Sequence, residues 1–260
     1  MNRRTLIIAS LLALTPLGLS TSASADTLAD IMAAKTIKIA VPQDFAPFGS
    51  AGPDLQPVGY DIDMAKLIAE KLGVELELVP VTSANRIPYL QTKKVDLVIS
   101  SMGKNPEREQ VIDFSNAYAP FFQGVFGTKD IAIEKPEDLA GKTVGATRGS
   151  IEEQEITKLA PDATIKRYED NNGTIAAFLS GQLDLIATGN VVAAAIAEQN
   201  PDRAPVSKFV IKESPCHIGM NKEEPALMAK INEIIAEAKA EGKLNEISEK
   251  WLKAPLPASI

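Results

Sequence analysis

Residues 94–115 read KVDLVISSMGKNPEREQVIDFS, and this stretch indicates the fold class. Its first part, Val95 to Ser100, is mostly apolar and rich in β-branched residues, which is typical of a strand buried inside a sheet. A polar loop follows directly and contains Ser101, Gly103 and Arg108. In open α/β sheets, the loops at the carboxyl ends of the strands line the crevice where ligands bind. The stretch therefore predicts an α/β protein with a binding site at this end of the sheet.

Strand and helix patterns alternate along the rest of the chain in two similar units, with a restart near Pro120. In the first unit, apolar residues at helical spacing predict a helix over Asp61–Lys71, and Gly73 stands where a C-cap glycine belongs. The repetition predicts two lobes, each a mostly parallel sheet flanked by helices. The other predicted strands are 36–41, 74–81, 124–129, 142–146, 164–168 and 183–188, and the other predicted helical segments are 87–91, 106–111, 136–139, 151–159, 173–179 and 224–252, the last broken at Gly242.

Composition excludes several classes of protein. The chain has 260 residues, of which 45% are hydrophobic, so it can fill a packed core. One cysteine and one histidine cannot supply a dedicated transition-metal site, and no metal or cofactor is expected. Acidic residues outnumber basic ones by 34 to 27, a formal charge of -7, which is the wrong sign for a protein that neutralises phosphates. Nucleic acid is therefore excluded as an expected partner.

The N-terminus has the layout of a secretory signal peptide. Arg3 and Arg4 precede an apolar stretch over 6–19, and the small residues Ala23-Ser24-Ala25 form an A-x-A cleavage site. The alternative, an uncleaved membrane anchor, needs a longer apolar run. Cleavage after Ala25 leaves 34 acidic against 25 basic residues, a charge of -9. No cysteine lies near this site, so we expect an exported protein without a lipid anchor, located in the periplasm.

Two predicted loops carry groups that suit an anionic ligand. Ser101 and the backbone of Gly103 offer hydrogen-bond donors for one carboxylate oxygen, and Arg108 can make a bidentate pair. Gly149 and Ser150 lead into a helix whose first N–H groups attract anions.

Each loop also has a simpler interpretation. Glu107 and Arg108 can form a solvated helix start, and Ser150 can be an ordinary N-cap, with Glu152 and Glu153 complementing the helix dipole.

Taken in order, the motifs resemble the family 3 periplasmic solute-binding proteins, which deliver polar amino acids to ABC importers. The resemblance covers essentially the whole mature chain, and the segments 81–90 and 250–257 look particularly similar to the glutamate/aspartate-binding branch. It implies two lobes joined by two crossings that close on a solute. The implied organisation is a signal peptide over 1–25, a first lobe over 26–120 and 215–260, and a second lobe over 121–214. The matching segments are IKIAVPQDFAPF (37–48), VGYDIDMAKLIAEK (58–71), KVDLVISS (94–101), NPEREQVIDFS (105–115), GKTVGATRGS (141–150), GQLD (181–184) and KWL (250–252).

The resemblance also implies roles for individual residues. Phe45 resembles the aromatic residue that stacks on the bound amino acid. Ser101, Gly103 and Arg108 resemble the carboxylate clamp, which Ser150 joins from the other lobe. Arg86 falls where the family places a pocket-lining side chain and can pair with a second carboxylate. The alternative is a surface arginine on a short helix. Asn171 is a weaker candidate for the same role, and Asn190 is also expected to contact the ligand. 

The chain departs from the family pattern directly after the predicted strand 183–188, which contains the end of the GQLD motif (181–184). Family members that bind α-amino acids usually carry an aspartate there for the ligand's ammonium group, but this chain has Gly189 and Asn190. A buried ammonium group without a carboxylate partner is costly. Either another acid, such as Asp44 or Asp170, replaces the missing one, or the solute is not an ordinary α-amino acid.

These observations predict the substrate-binding component of an ABC importer. It captures a small carboxylate-bearing solute, delivers it to a membrane permease, acts as a monomer and has no catalytic residue. The alternative on the same scaffold is a periplasmic cyclohexadienyl dehydratase acting on prephenate or arogenate, which would need a general acid in the cleft.

Cys216 and His217 do not suggest a nucleophilic pair, because adjacent strand residues point to opposite faces, and a half-buried cysteine is expected. Arg148, with the other two arginines of the predicted cleft loops, is expected to add positive potential.

Overall fold

The computed structural model describes residues 26–260, so the predicted signal peptide over 1–25 lies outside the described residues. The strands form two five-stranded sheets and one small hairpin. The first lobe begins with α1 (Thr27–Ala34), β1 (Thr36–Pro42), β2 (Ser50–Ala51), β3 (Pro57–Val58), α2 (Tyr60–Leu72), β4 (Glu75–Val81), α3 (Arg86–Gln91), β5 (Leu97–Met102), α4 (Pro106–Glu109) and β6 (Asp113–Ala119).

The chain then crosses to the second lobe and later returns. The second lobe contains β7 (Phe122–Gly127), β8 (Thr143–Thr147), α5 (Ile151–Leu159), β9 (Thr164–Tyr168), α6 (Asn171–Leu179), β10 (Leu185–Gly189), α7 (Asn190–Gln199) and β11 (Val206–Glu213). The return to the first lobe adds β12 (Cys216–Met220), α8 (Pro225–Ala240) and α9 (Lys243–Leu252). Short 3-10 helices cover Ser83–Asn85, Pro136–Leu139 and Pro201–Arg203.

Each sheet has one strand that runs against the other four. The first sheet has the order β4-β1-β5-β12-β6, and β12 is antiparallel to both of its neighbours. The second has the order β11-β7-β10-β8-β9, in which β7 is the antiparallel strand. The chain enters the second lobe along β7 and returns to the first lobe along β12. These two strands therefore begin at the cleft, whereas the other strands of the two sheets end there. The mostly parallel lobes of the predicted α/β fold are confirmed.

The central strands are buried, as their apolar sequences predict. Every residue of β5 is buried between β1 and β12. A strand that is buried on both faces does not alternate between apolar and exposed polar residues, and the sequence of Leu97–Met102 fits this. Helix α2 covers this sheet with Tyr60, Ile62 and Met64, all fully buried, and burial of each such side chain contributes about 1.5–3 kcal/mol. Gly73 ends α2 in the left-handed region (φ 69°) and donates to the carbonyl groups of Ala69 and Glu70, so the predicted C-cap is confirmed.

Several elements have no counterpart in the sequence predictions, among them α1, the hairpin of β2 and β3, β6, α7 and β11. Strand β6 follows the clamp loop, α7 follows β10, and β11 forms the edge of the second sheet. Residues 206–213 of β11 are nowhere fully buried and contain two register shifts against β7. An irregular edge strand lacks the clean alternation by which strands are recognised. None of the helices within residues 26–260 is both long and apolar enough to cross a membrane.

Candidate ligand-binding cleft

A cavity with about 350 Å³ of empty space, part of it open to solvent, lies between the lobes, where the carboxyl ends of the parallel strands face each other. Phe45, Arg86, Ser101, Gly103 and Arg108 line it from the first lobe. The second lobe contributes Ser150 and Asn171 together with residues that were not predicted to bind the ligand: Gln123, Thr147, Ile151, Glu152, Ala187 and Thr188.

Arg108 lies on α4 and its guanidinium group bridges the two lobes. The Asn105 side chain caps α4 by accepting from the N–H of Arg108 at 2.9 Å. Arg108 Nη1 donates to the Gly103 carbonyl at 3.0 Å, and Nη2 donates to the Gly149 carbonyl of the second lobe at 2.9 Å. Burial, followed by the nearby charge of Arg86, lowers the pKa of Arg108 to about 10. The guanidinium group therefore remains charged at neutral pH.

Arg86 lies at the start of α3 and lines the cavity, so the surface alternative for this residue is wrong. Its side chain is buried and Nε donates to the hydroxyl of Ser100 at 3.1 Å. Burial lowers the pKa of Arg86, whereas the negative charges of Glu152, Asp61 and Asp44 oppose this change. Two arginines that are almost completely buried thus line a single cavity.

Ser101 is held in an uncommon conformation by a buried carboxylate that sequence reasoning missed. Its φ is 42°, and its N–H donates to Asp61 Oδ2 at 2.7 Å. Asp61 Oδ1 accepts from the Tyr118 hydroxyl at 2.6 Å. Burial raises the pKa of Asp61 to about 7. In the sequence, Asp61 had the pattern of an ordinary acidic residue in the first turn of a helix.

The Ser101 hydroxyl lines the cavity as an unused hydrogen-bonding group. Its Oγ is buried and has no hydrogen-bond partner within residues 26–260. A buried polar atom without a partner costs free energy. The hydroxyl is therefore positioned to bind a polar group of a ligand.

Gly149 and Ser150 form the corresponding loop of the second lobe. Ser150 is the N-cap of α5 and accepts from the N–H of Glu153 at 3.0 Å, so the ordinary N-cap interpretation is correct and Ser150 also lines the cavity. Gly149 has a φ of 76°, and a Cβ atom there would lie 2.8 Å from the Cα of Ala84 in the first lobe. Only glycine fits this contact between the lobes.

Glu152 is the one acidic side chain that lines the cavity within the described part of the chain. It lies in the first turn of α5 and is 6% exposed. Burial raises its pKa, while hydrogen bonds from its own N–H and the charges of Arg86 and Arg108 oppose the rise. The sequence suggested only that Glu152 complements the helix dipole. Neighbouring Glu153, which has the same sequence pattern, instead forms a 2.7 Å ion pair with Arg167.

Aromatic rings form the apolar wall of the cleft. Phe45 and Phe48 are stacked with centroids 6.2 Å apart, and Phe121 lies 6.3 Å from Phe45. A Cβ atom at Gly189 would lie only 1.9 Å from Phe121 Cζ. The Phe121 ring thus occupies the space that any side chain at position 189 would need, which explains the missing aspartate in physical terms.

Several predicted residues are engaged elsewhere. Asp44 does not line the cavity, because both of its carboxylate oxygens accept from Asn171, at 2.7 Å from the backbone N–H and 3.2 Å from Nδ2. Asn171 borders the cavity, but its Oδ1 accepts from Thr147. Asp170 caps α6 by accepting from the Gly173 N–H at 2.7 Å. Neither acid takes the place of the missing aspartate in the cavity.

Asn190 and Arg148 also lie away from the cavity. Asn190 Oδ1 accepts from the N–H of Phe122 at 3.1 Å, at the first crossing between the lobes. The expectation that Arg148 adds to the positive potential of the cleft is wrong, because its side chain is 49% exposed and pairs with Glu169. Arg148 follows the end of β8, and the chain turns at Gly149, so its side chain is directed to solvent rather than into the cleft.

Cys216 and His217 are structural residues of β12. Cys216 is completely buried rather than half-buried, and burial raises the pKa of its thiol well above the usual value. The His217 Nδ1 atom lies 2.8 Å from the Ser115 carbonyl. Within residues 26–260 there is no cluster of three or more metal-ligating side chains.

Two α/β lobes joined by two crossings, with a charged and aromatic cleft between them, define a two-lobed solute-binding protein. A model of the family described as bacterial extracellular solute-binding proteins, family 3, matches residues 37–254. The chain belongs to this family.

Individual proteins are similar over most of their length. A glutamine-binding protein of an ABC transporter from Bacillus subtilis (strain 168) is 34% identical over 233 residues, covering 88% of this chain and 85% of the relative. Among solved structures, a mutant of ArgBP from T. maritima has a TM-score of 0.82 at 31% identity and covers 88% of this chain and 100% of that chain. An ancestral amino acid-binding protein, described as a precursor of cyclohexadienyl dehydratase, has a TM-score of 0.80 at 33% identity and covers 87% and 99%.

These similarities confirm the predicted family and the prediction that the protein binds a solute rather than catalysing a reaction. The named relatives are described as binding proteins, including the ancestral one that is a precursor of the dehydratase. The glutamate/aspartate branch stays a prediction, because the relatives are named for other amino acids.

Proposed function

We propose that this chain is the substrate-binding component of an ABC importer and that it captures a small acidic amino acid by closing its two lobes. The single observation that carries the proposal is the pair of buried guanidinium groups, Arg86 and Arg108, that line one cavity between the lobes.

Charge balance favours a solute with two carboxylate groups. Arg86 and Arg108 are 5% and 4% exposed, so neither charge is well solvated. Buried charges need partners of opposite sign. Glu152 supplies one negative charge in the same cavity, which leaves an excess of positive charge. An acidic amino acid offers one carboxylate for each arginine, whereas a cationic amino acid would add a third positive charge.

The remaining polar groups suit a carboxylate near Arg108. The unpartnered Ser101 hydroxyl and the backbone of Gly103 line the same part of the cavity. Hydrogen bonds to a charged group are roughly twice as strong as neutral ones. Phe45 and Phe121 then provide apolar surfaces for the carbon chain of the solute.

Hydrogen bonds between the two lobes stabilise the closed form. Asp44 binds Asn171, and Arg108 binds the Gly149 carbonyl, each across the cleft. Asn105 Nδ2 also donates to Gln154 Oε1 at 2.7 Å. A solute that touches both lobes adds to these bonds and stabilises the closed form, which the importer recognises.

The remaining elements of the proposal concern location and partners. The protein is exported to the periplasm, the signal peptide is cleaved after Ala25, no lipid anchor is attached, and the mature protein is a monomer that docks on a membrane permease. Intact-mass measurement of the exported protein tests the cleavage site and the absence of a lipid. Light scattering on the same sample tests the monomeric state.

Isothermal titration calorimetry and thermal shift against glutamate, aspartate, glutamine and arginine test the proposed solute. We expect saturable binding of glutamate or aspartate and a raised melting temperature. Arg86→Gln should weaken binding of the acidic solute by about 30-fold or more, because it leaves the second carboxylate unpaired. Arg148→Gln is the matched control on the exposed side of the cleft and should leave affinity unchanged. Tighter binding of glutamine or arginine would disprove the acidic solute.

A further inference from the structure

Glu152 is the starting point for a more specific inference, because it is the sole acidic side chain that lines the cavity among the described residues. The charges of the two buried guanidinium groups act to lower the pKa of its carboxyl group against the raising effect of burial, and its own exposure is 6%. A cavity that binds only anionic groups gains nothing from a carboxylate, which would repel the ligand. Glu152 therefore needs a function within the site.

Other carboxylates near the cleft are already engaged. Both oxygens of Asp44 accept from Asn171. Asp61 accepts from Ser101 and Tyr118 behind the cavity wall. At Gly189 the Phe121 ring leaves no space for a side chain. Glu152 also accepts from its own N–H and from the Ser150 side chain, but among the described residues it is the acid that lines the cavity and can pair with a positively charged group of a ligand.

A second acceptor lies on the same cavity surface. Gln123 is 1% exposed and lines the cavity, and its Oε1 has no hydrogen-bond partner in the part of the chain that the structure describes. The register of β7 with β10 places Gln123 directly opposite Gly189. An unpartnered buried amide oxygen indicates a donor supplied by the ligand. The second lobe thus presents two acceptors, whereas Arg86 and Arg108 present donors.

We propose that Glu152 is a specificity-determining residue that binds the ammonium group of the solute, with Gln123 as the neutral acceptor beside it. The site then selects amino dicarboxylic acids over dicarboxylic acids that lack an amine. This inference rests on the proposed function, because it assumes that Arg86 and Arg108 take the two carboxylates.

The charges support this arrangement. Two guanidinium groups and one carboxylate in the protein complement two carboxylates and one ammonium group in the solute. A desolvated ammonium group needs a carboxylate or several acceptors to offset its loss of hydration. A dicarboxylate without an amine would leave the charge of Glu152 facing two further negative charges, unless Glu152 were protonated.

Glutamate and glutarate provide the decisive pair of probes, because both have two carboxylates on a five-carbon chain and differ in the amine. We expect the unmodified protein to bind glutamate at least about 30-fold more tightly than glutarate by calorimetry. Glu152→Gln should weaken glutamate binding by about 30-fold or more while leaving glutarate binding unchanged or tighter. Glu152→Asp should give a smaller loss, confined to glutamate.

Glu155→Gln is the matched control, because Glu155 lies on the same helix and makes only a 3.8 Å ion pair with Lys212 and a 3.9 Å pair with Lys158. It should change neither affinity. Equal loss of both ligands in Glu152→Gln would indicate a structural role and overturn the inference. Equal affinity of the unmodified protein for glutamate and glutarate would overturn it too, while leaving the acidic solute in place. If the unmodified protein binds neither, the proposed function itself fails.

Discussion

Asp44 and Asn171 form a bidentate hydrogen-bonded pair across the cleft, with Asp44 Oδ2 accepting from the Asn171 N–H at 2.7 Å and Oδ1 accepting from Nδ2 at 3.2 Å. Both residues are buried, at 7% and 6% exposure. The pair joins the loop after β1 to the start of α6, so it exists only when the lobes are together.

Replacing Asp44 with alanine should therefore weaken closure. Loss of a charged acceptor leaves the buried N–H groups of Asn171 unpaired, which costs about 1–3 kcal/mol. We expect solute affinity to fall by roughly 5- to 150-fold with the fold intact. The control is Glu107→Gln, which removes an exposed pair with Lys158 across the cleft and should cost less than about 1 kcal/mol. Equal effects of the two variants in calorimetry would contradict this prediction.

Gly149→Ala should hinder closure by a steric route. The new Cβ would lie 2.8 Å from the Cα of Ala84, so the lobes cannot approach as closely. Small-angle X-ray scattering with saturating solute should show a larger radius of gyration than for the unmodified protein. Gly141→Ala is the control, because Gly141 has a similar φ of 70° but nothing within 4 Å of a Cβ atom. If both variants close equally well, the contact at Ala84 does not limit closure.

Asp61 should make the free energy of unfolding depend on pH. Its pKa in the folded state is raised to about 7 from an ordinary value of 3.8, so the folded protein holds this proton more tightly than the unfolded chain. Its favourable contribution is fully present below pH 3.8 and is lost as the pH rises towards 7. The loss amounts to roughly 4 kcal/mol across that range.

Urea unfolding of the unmodified protein and of Asp61→Asn between about pH 4.5 and about pH 8 isolates this effect. The stability of the unmodified protein relative to the variant should fall as the pH rises and should level off above about pH 7. A difference that stays constant with pH would show that Asp61 keeps an ordinary pKa.

Gly189→Ala should destabilise the second lobe, because its methyl group would lie 1.9 Å from Phe121 Cζ. Overpacking of this kind typically costs about 1–3 kcal/mol. Phe121→Ala in the same chain should recover part of the loss by making space for the methyl group. A double-mutant cycle from denaturant unfolding measures this coupling, and simple additivity of the two changes would rule out direct contact as the cause.

Arg108→Ala should abolish solute binding while the protein remains folded. The substitution removes the carboxylate partner and also the bond to the Gly149 carbonyl. We expect a loss of at least about 100-fold in affinity, because a desolvated ion pair loses one partner. Circular dichroism and the melting temperature check the fold, and calorimetry measures the loss. Retained affinity would show that Arg108 is not part of the clamp.

Local patterns were sufficient for much of the architecture. The helix over α5 and the strand over β9 have the predicted bounds, Ile151–Leu159 and Thr164–Tyr168. Both have clear boundaries, an N-cap at Ser150 and a strand between turn residues. Strand β11 was not predicted, because an exposed edge strand with register shifts has no regular alternation. Most boundaries of the other predicted elements differ by one or two residues, as fraying ends permit.

Candidate site residues were predictable where a loop follows a parallel strand. Arg86, Ser101, Arg108 and Ser150 line the cavity, because topology brings such loops to a common edge. The family pattern and the missing acid at Gly189 were also visible in the order of residues along the chain. These features depend on periodicity and spacing, which are properties of short segments.

The partner of each carboxylate is decided by the tertiary structure and not by the local sequence. Asp44, Asp61, Glu152 and Glu153 all stand at or near helix starts or strand ends, and nothing local distinguishes them. Contacts between residues far apart in the chain bury Asp61 under Ser101, bind Asp44 to Asn171 and expose Glu152 to the cavity. The Phe121 ring opposite Gly189 likewise comes from a different strand. The order of residues along the chain was enough to predict a cleft for a carboxylate, because it depends on local patterns. Which acidic side chain lines that cleft was decided by the packing of the two lobes, because burial and pairing depend on residues that are far apart in the sequence.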